Sequence, residues 1–234
     1  MANLVLSFAE LLVGAVLLDA AIKGDSIQNV VTGKATSHPL PGSSSGAGSG
    51  ASGAAGGAAS TGTGNYVNPV PGARTGRVDQ GVDYTLGSAG FVAPGNSKIV
   101  YVGSGGGWGA EYVAGQLTDG PLAGSIWYIA EAPSKLAGIV KDATVKAGQQ
   151  ITPGNATIEA GWANPSNPGN PLANDAATGA SDQSLSSLTA GYSFSQFVHA
   201  LGGVPGVFQG VGAALAPAVE QAFSSGAAAG VPFT

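Results

Sequence analysis

In the segment Arg77-Val-Asp-Gln-Gly-Val-Asp-Tyr84, two carboxylates four positions apart bracket a glycine. Asp79 and Asp83 lie either side of Gly81, and Gly-, Ser- and aromatic-rich runs follow at once. Neighbouring carboxylates can hold a hard cation such as calcium through oxygen alone. They can also act as an acid–base pair, because each raises the other's pKa and one then stays protonated at neutral pH. Against both stands ordinary turn chemistry, since Asp beside Gly is common wherever a chain reverses.

Other chemistries find little footing. The chain has no cysteine, which excludes disulfides, thiol catalysis and Cys-ligated metals. There is no Gly-x-Ser-x-Gly elbow for a serine nucleophile. Gly105-Gly-Gly107 is followed by neither Lys-Ser/Thr nor a helical pattern, so it reads as a hairpin loop rather than a phosphate cradle. Eight Lys and Arg, scattered and outnumbered by thirteen Asp and Glu, argue against nucleic acid as a partner.

The elements that must position the acids divide the chain into five stretches. Residues 1–42 carry an apolar run from Leu4 to Ile22, long enough as a helix to span about 30 Å. Glu10 and Asp19 interrupt it and point to roughly opposite sides, so the run predicts a membrane helix or one packed into an oligomer. No basic region precedes it, which disfavours a cleaved signal peptide. Residues 43–65 form a linker, with only Gly, Ala, Ser and Thr from Ser43 to Thr63. Residues 66–163 read as one β domain, in which runs such as Lys98-Ile-Val-Tyr-Val102 and Ser125-Ile-Trp-Tyr-Ile129 alternate with Gly-rich turns. Residues 164–190, rich in Pro, Asn, Gly and Ser, predict a loop connection. Residues 191–234 predict apolar helices, over Phe194–Leu201 and Val204–Phe223. In the second, Gly206, Gly210 and Ala214 recur at four-residue spacing and Pro217 predicts a kink. Charged residues make up only 9% of the chain, which predicts that apolar surface meets a membrane or sibling subunits.

The Asp79-x-Gly-x-Asp83 spacing resembles the His-x-Gly-x-Asp entry motif of the lysostaphin-like peptidoglycan endopeptidases, where the His and the Asp bind zinc. The resemblance covers roughly residues 74 to 163. It places Trp127-Tyr-Ile-Ala-Glu131 where the family has a catalytic His at a strand end, and Thr157-Ile-Glu159 where the family has its His-x-His strand. Thr144-Val-Lys-Ala-Gly-Gln-Gln-Ile151 is similar to a hairpin shared by these domains and by lipoyl-like domains, although no modifiable Lys stands at its tip. The runs Asp79-Gln-Gly-Val-Asp-Tyr84, Gly120-Pro-Leu-Ala-Gly124 and Ile158-Glu-Ala-Gly-Trp-Ala163 resemble a variant domain of actinobacteria and their phages.

The resemblance implies a mainly β fold of lysostaphin/lipoyl-like type and a cleft onto which Asp79, Asp83, Glu131 and Glu159 converge. Asp83 and Glu131 would then be the catalytic pair for glycoside cleavage, about 5 to 10 Å apart. Asp79 and Glu159 would line the cleft, and Trp108, Trp127, Tyr128 and Trp162 would either stack on sugar faces or serve as core and strand-face residues. No His stands at a matched position, since His38 precedes the linker and His199 lies in the C-terminal stretch. An all-oxygen set is poor for zinc and suits calcium better. The expected protein is therefore a phage virion (tail-tip or internal) or cell-envelope component, membrane-associated and homo-oligomeric. Its acidic cleft binds or cleaves peptidoglycan; the alternative is a non-catalytic structural virion protein that contacts membrane or other subunits.

Overall fold

The structure, a computed structural model, describes residues 66–103, 111–173, 182–225 and 232. The expected N-terminal helix, the linker, His38 and Trp108 lie outside the described residues. Among the described residues no helix is long and apolar enough to cross a membrane.

The architecture is mainly β, with two helices at the C-terminal end. Among the described residues nine strands appear in order: β1 (Val82–Thr85), β2 (Phe91–Val92), β3 (Ser97–Gly103), β4 (Glu111–Leu117), β5 (Ile126–Ala132), β6 (Thr144–Val145), β7 (Gln150–Thr152), β8 (Thr157–Asn164) and β9 (Asn167–Pro171). The helices are α1 (Leu185–Ala200) and α2 (Val211–Ser224). A seven-stranded sheet runs β1-β8-β5-β4-β3-β6, with β9 also paired to β8, and β2 and β7 form a small second sheet. Every named strand pairing is antiparallel.

Strand alternation sends one set of side chains to each face. On β5 and β8, Trp127, Ile129, Ile158, Ala160 and Trp162 join the larger core with Phe91, Leu188, Phe194 and Phe197. The alternate residues Tyr128, Ala130 and Ala163 join a smaller cluster with Tyr112, Ala114 and Ile126. Both faces of these strands are therefore buried, which explains their almost unbroken apolar text.

Helix α1 starts at Ser184, whose hydroxyl accepts from the Ser187 amide at 3.1 Å. It packs on β8 and β1. Gly191 permits the approach: a Cβ there would fall 2.2 Å from the Asp79 carbonyl oxygen and 2.4 Å from that of Gly81. The helix is thus pressed against the loop that carries the acids.

Three expectations need correction. Residues 164–190 are not all loop, because β9 and the start of α1 fall there. The Asn-Pro-Gly-Asn-Pro text of β9 has no β-formers, but an edge strand tolerates Pro, and the Asn164 side chain closes the preceding turn by accepting from Ser166 N at 2.9 Å. Residues 204–210 are not helical, since Gly202, Gly203, Pro205 and Gly206 stop α1 and Val207 instead bridges Arg77. Finally, the arms of the Thr144–Ile151 motif do not pair with each other: β6 joins β3 and β7 joins β2. Pro217 does lie inside α2.

Candidate functional site

The site is built around a tight reversal ahead of β1. Val78 bridges Val82, and the Asp83 amide donates to the Arg77 carbonyl at 2.9 Å, so Arg77 and Asp83 face each other across the turn. Within the turn the Gly81 amide donates to Asp79 Oδ1 at 3.1 Å. Gly81 is required for space, because a Cβ there would sit 2.6 Å from the Tyr128 hydroxyl. Strand register brings in the rest. Asp83 is paired with Glu159 on β8, and Glu159 with Ala130 on β5, so the three project from one face.

One carboxylate oxygen each from Asp79, Asp83 and Glu159 lies within 4.8 Å of the others. Each carboxylate is engaged. The Arg77 guanidinium donates from Nη2 to Asp79 Oδ2 at 2.7 Å and from Nε to Asp83 Oδ2 at 3.2 Å. Its Nη2 also lies 3.7 Å from Asp182 Oδ2, just ahead of α1. Glu159 accepts a hydrogen bond from the Tyr128 hydroxyl through Oε1 and a long one, 3.5 Å, from Gln80 Nε2 through Oε2. Tyr128 in turn stacks on Tyr112 at 5.3 Å.

Burial and crowding set the protonation. Asp79 is pushed up to about 7, first by burial and then by the Asp83 charge, against the pull of the Gly81 amide and Arg77. Burial and then the Asp79 charge push Glu159 up to about 8, opposed by the Tyr128 hydroxyl. With both carboxyls raised to neutral pH or above, the site retains a proton there. Burial also raises Asp83, although Arg77 opposes it.

Three of the four sequence-derived acids form one tight group, and the fourth lies within reach of the Asp83 charge. Asp79, Asp83 and Glu159 come together; Glu131 stands outside their cluster, exposed and at φ 60° on β5. The β4–β5 register shifts here, and such a bulge re-aims a side chain that strict alternation would send to the far face. Burial raises the Glu131 carboxyl, with the Asp83 charge adding to the rise and Arg77 opposing it. The sugar-stacking role is corrected for Trp127, Trp162 and Tyr128, all of which are fully buried. Trp162 packs on Phe194 and Phe197 at 5.2 and 5.0 Å and donates to Ser193 Oγ, while Trp127 donates to Ser97 Oγ. The residues that sequence reasoning missed are Arg77, Gln80 and Asp182. Arg77 was legible in principle, because a two-sided turn centred on Gln80 must oppose positions 77 and 83.

The clustered donors are three carboxylates with no nitrogen or sulfur, unlike the usual zinc site. A guanidinium already donates to two of them. The residues do not fit zinc. A calcium ion, which takes six to eight oxygens, would meet that same positive group.

No family model and no curated protein matches the chain. Among solved structures it is similar to Helicobacter pylori Csd3. In the hexagonal crystal the identity is 21% and the TM-score 0.33, over 46% of this chain and 32% of that one. In the orthorhombic crystal they are 19% and 0.34, over 46% and 34%. A zinc-containing peptidase from Vibrio cholerae matches at 16% identity and a TM-score of 0.28, over 42% of this chain and 33% of that one. The chain therefore spans about a third of the length of these three structures, and likeness at these scores carries no functional argument.

Proposed function

We propose that the β domain is a non-hydrolytic, peptidoglycan-directed module of a phage virion or cell envelope, displayed on the Gly/Ala/Ser linker. One observation carries the non-hydrolytic half: the Arg77 guanidinium ties up Asp79 and Asp83, the two acids of the entry motif. A general acid or base must reach substrate, whereas Asp79 and Glu159 are buried and hydrogen-bonded to the protein's own groups. The wall-directed half is supported by the motif spacing and by the strands that bring its residues together.

The test uses the full-length protein with purified sacculi, following pelleting and muropeptide release together. Co-pelleting without release is the expected result. Release that Asp83→Asn or Glu131→Gln abolishes would restore the hydrolase reading, with Asp83 and Glu131 as the acid–base pair.

A second reading, a structural subunit that contacts sibling copies or membrane, draws on a different observation. Leu185 and Val211, the first residues of α1 and α2, and Val207 in the segment between the helices are large apolar residues left exposed. Sedimentation of the full chain separates the two: a defined oligomer that ignores sacculi favours the structural role.

A further inference from the structure

The cluster of Asp79, Asp83 and Glu159 has the spacing of a cation site, yet a side chain of the same turn already occupies it electrostatically. We infer that Arg77 is the resident cation of this site and that the three carboxylates take no metal ion while its guanidinium is in place. This deepens the non-hydrolytic reading and concerns the same residues.

Geometry carries the inference. The fork reaches two different carboxylates, Nη2 to Asp79 at 2.7 Å and Nε to Asp83 at 3.2 Å, so the positive charge lies between them. The donors also use the oxygens a metal would need. Asp79 gives Oδ1 to the Gly81 amide and Oδ2 to Arg77, while Glu159 gives Oε1 to Tyr128 and Oε2 to Gln80. An incoming ion would have to displace N–H and O–H donors aimed at those oxygens, and would meet like charge at contact distance.

The backbone holds the guanidinium there. On one side Arg77 accepts from the Asp83 amide at 2.9 Å. On the other side the segment after α1 pairs with the same stretch: Val78 N donates to Val207 O at 2.9 Å, and Val207 N to Gly76 O at 2.8 Å. Arg77 therefore lies in a short ladder with neighbours on both edges. Asp182 adds a third carboxylate at 3.7 Å, on the outer side of the head group.

The test is a titration of the full-length protein with calcium chloride and, separately, zinc chloride, followed by calorimetry and by thermal unfolding. The wild type is expected to show no saturable heat and no ion-dependent rise in melting temperature. Arg77→Gln removes the charge and keeps a polar stem; it is expected to gain saturable calcium heat and an ion-dependent rise in melting temperature, at an affinity roughly tenfold or more above the weakest the titration can detect. A folded Arg77→Gln as indifferent to calcium as the wild type would overturn the inference. If that variant does not fold, Arg77→Lys keeps the charge without the fork and is expected to stay indifferent; saturable binding by it would overturn the inference. Saturable binding by the wild type that Asp79→Asn abolishes overturns it with no appeal to the Arg77 variants. Muropeptide release is scored separately, so wall hydrolysis without metal binding would sink the proposed function and leave the Arg77 assignment standing.

Discussion

The two faces of β5 and β8 are buried to a similar degree by opposite means. On one, Trp127 and Trp162 share a core with Phe194 and Phe197 of α1, and each of these two indole N–H groups finds a serine hydroxyl. On the other, Tyr112 and Tyr128 stack and lead to Glu159, a carboxyl buried with a phenol and an amide for company. The first face depends on shape, and its cost of change scales with volume removed. The second depends on pairing donors with acceptors, so a single atom or a proton can alter it.

Deleting the largest ring on the apolar face tests this contrast most severely. Trp162→Ala should cost about 3–5 kcal/mol in guanidinium unfolding of the full chain. A loss below about 1 kcal/mol would mean the ring is not part of the core and would reopen it as a binding residue. On the acidic face, Tyr128→Phe removes one oxygen and almost no volume, yet leaves Glu159 short of its closest donor. The expected cost is about 1–3 kcal/mol, and a neutral result would show that water or another group serves Glu159 equally well.

The contrast sharpens with pH. Glu159 rises to about 8 and Asp79 to about 7 from ordinary values of 4.5 and 3.8, so across this interval the native state holds protons that the unfolded chain has released. The stability they contribute is full below the ordinary values and is lost as pH climbs through the folded ones. The protein should therefore unfold at lower denaturant at pH 8 than at pH 5. Glu159→Gln, neutral at every pH, should flatten that slope, whereas no substitution confined to the Trp162 face should change it. A slope unchanged in Glu159→Gln would place the titrating group elsewhere. The smallest effect is expected at the surface. Val211→Ser should shift unfolding by no more than about 0.5 kcal/mol, but should weaken self-association if the exposed apolar residues are a subunit contact.

Much of the apolar face was legible in the sequence, because β-rich runs between Gly-rich turns announce strands such as β3 and β5 whatever their partners. β9 was not, since its Asn and Pro text carries no local preference and its strand character comes from pairing with β8. The non-helical course of 204–210 was written in Gly202, Gly203, Pro205 and Gly206, but the small-residue spacing that continues into Ala214 masked it. The resemblance placed Asp79, Asp83, Glu131 and Glu159 on one cleft, and Asp79, Asp83 and Glu159 form the tight group. It could not show that Arg77 would neutralise two of them, because an ion pair depends on side-chain reach across a turn. Nor could it show that Glu131 stands at positive φ on a bulge, a conformation set by β4 rather than by Glu131 itself.

The order of the strands bears on how the chain acquires its structure. β8 lies between β1 and β5, and Gln80 and Glu159, which meet across the turn ahead of β1, are 79 positions apart. Closing so long a loop costs chain entropy before any contact offsets it, and sheets dominated by such pairings fold slowly, over milliseconds to seconds. During synthesis the Asp79–Asp83 turn would leave the ribosome well before β8 and the segment around Val207 that hold it in place. Until then its carboxylates are in water, with ordinary acidity, and their unusual protonation exists only once β8 and the segment around Val207 have docked.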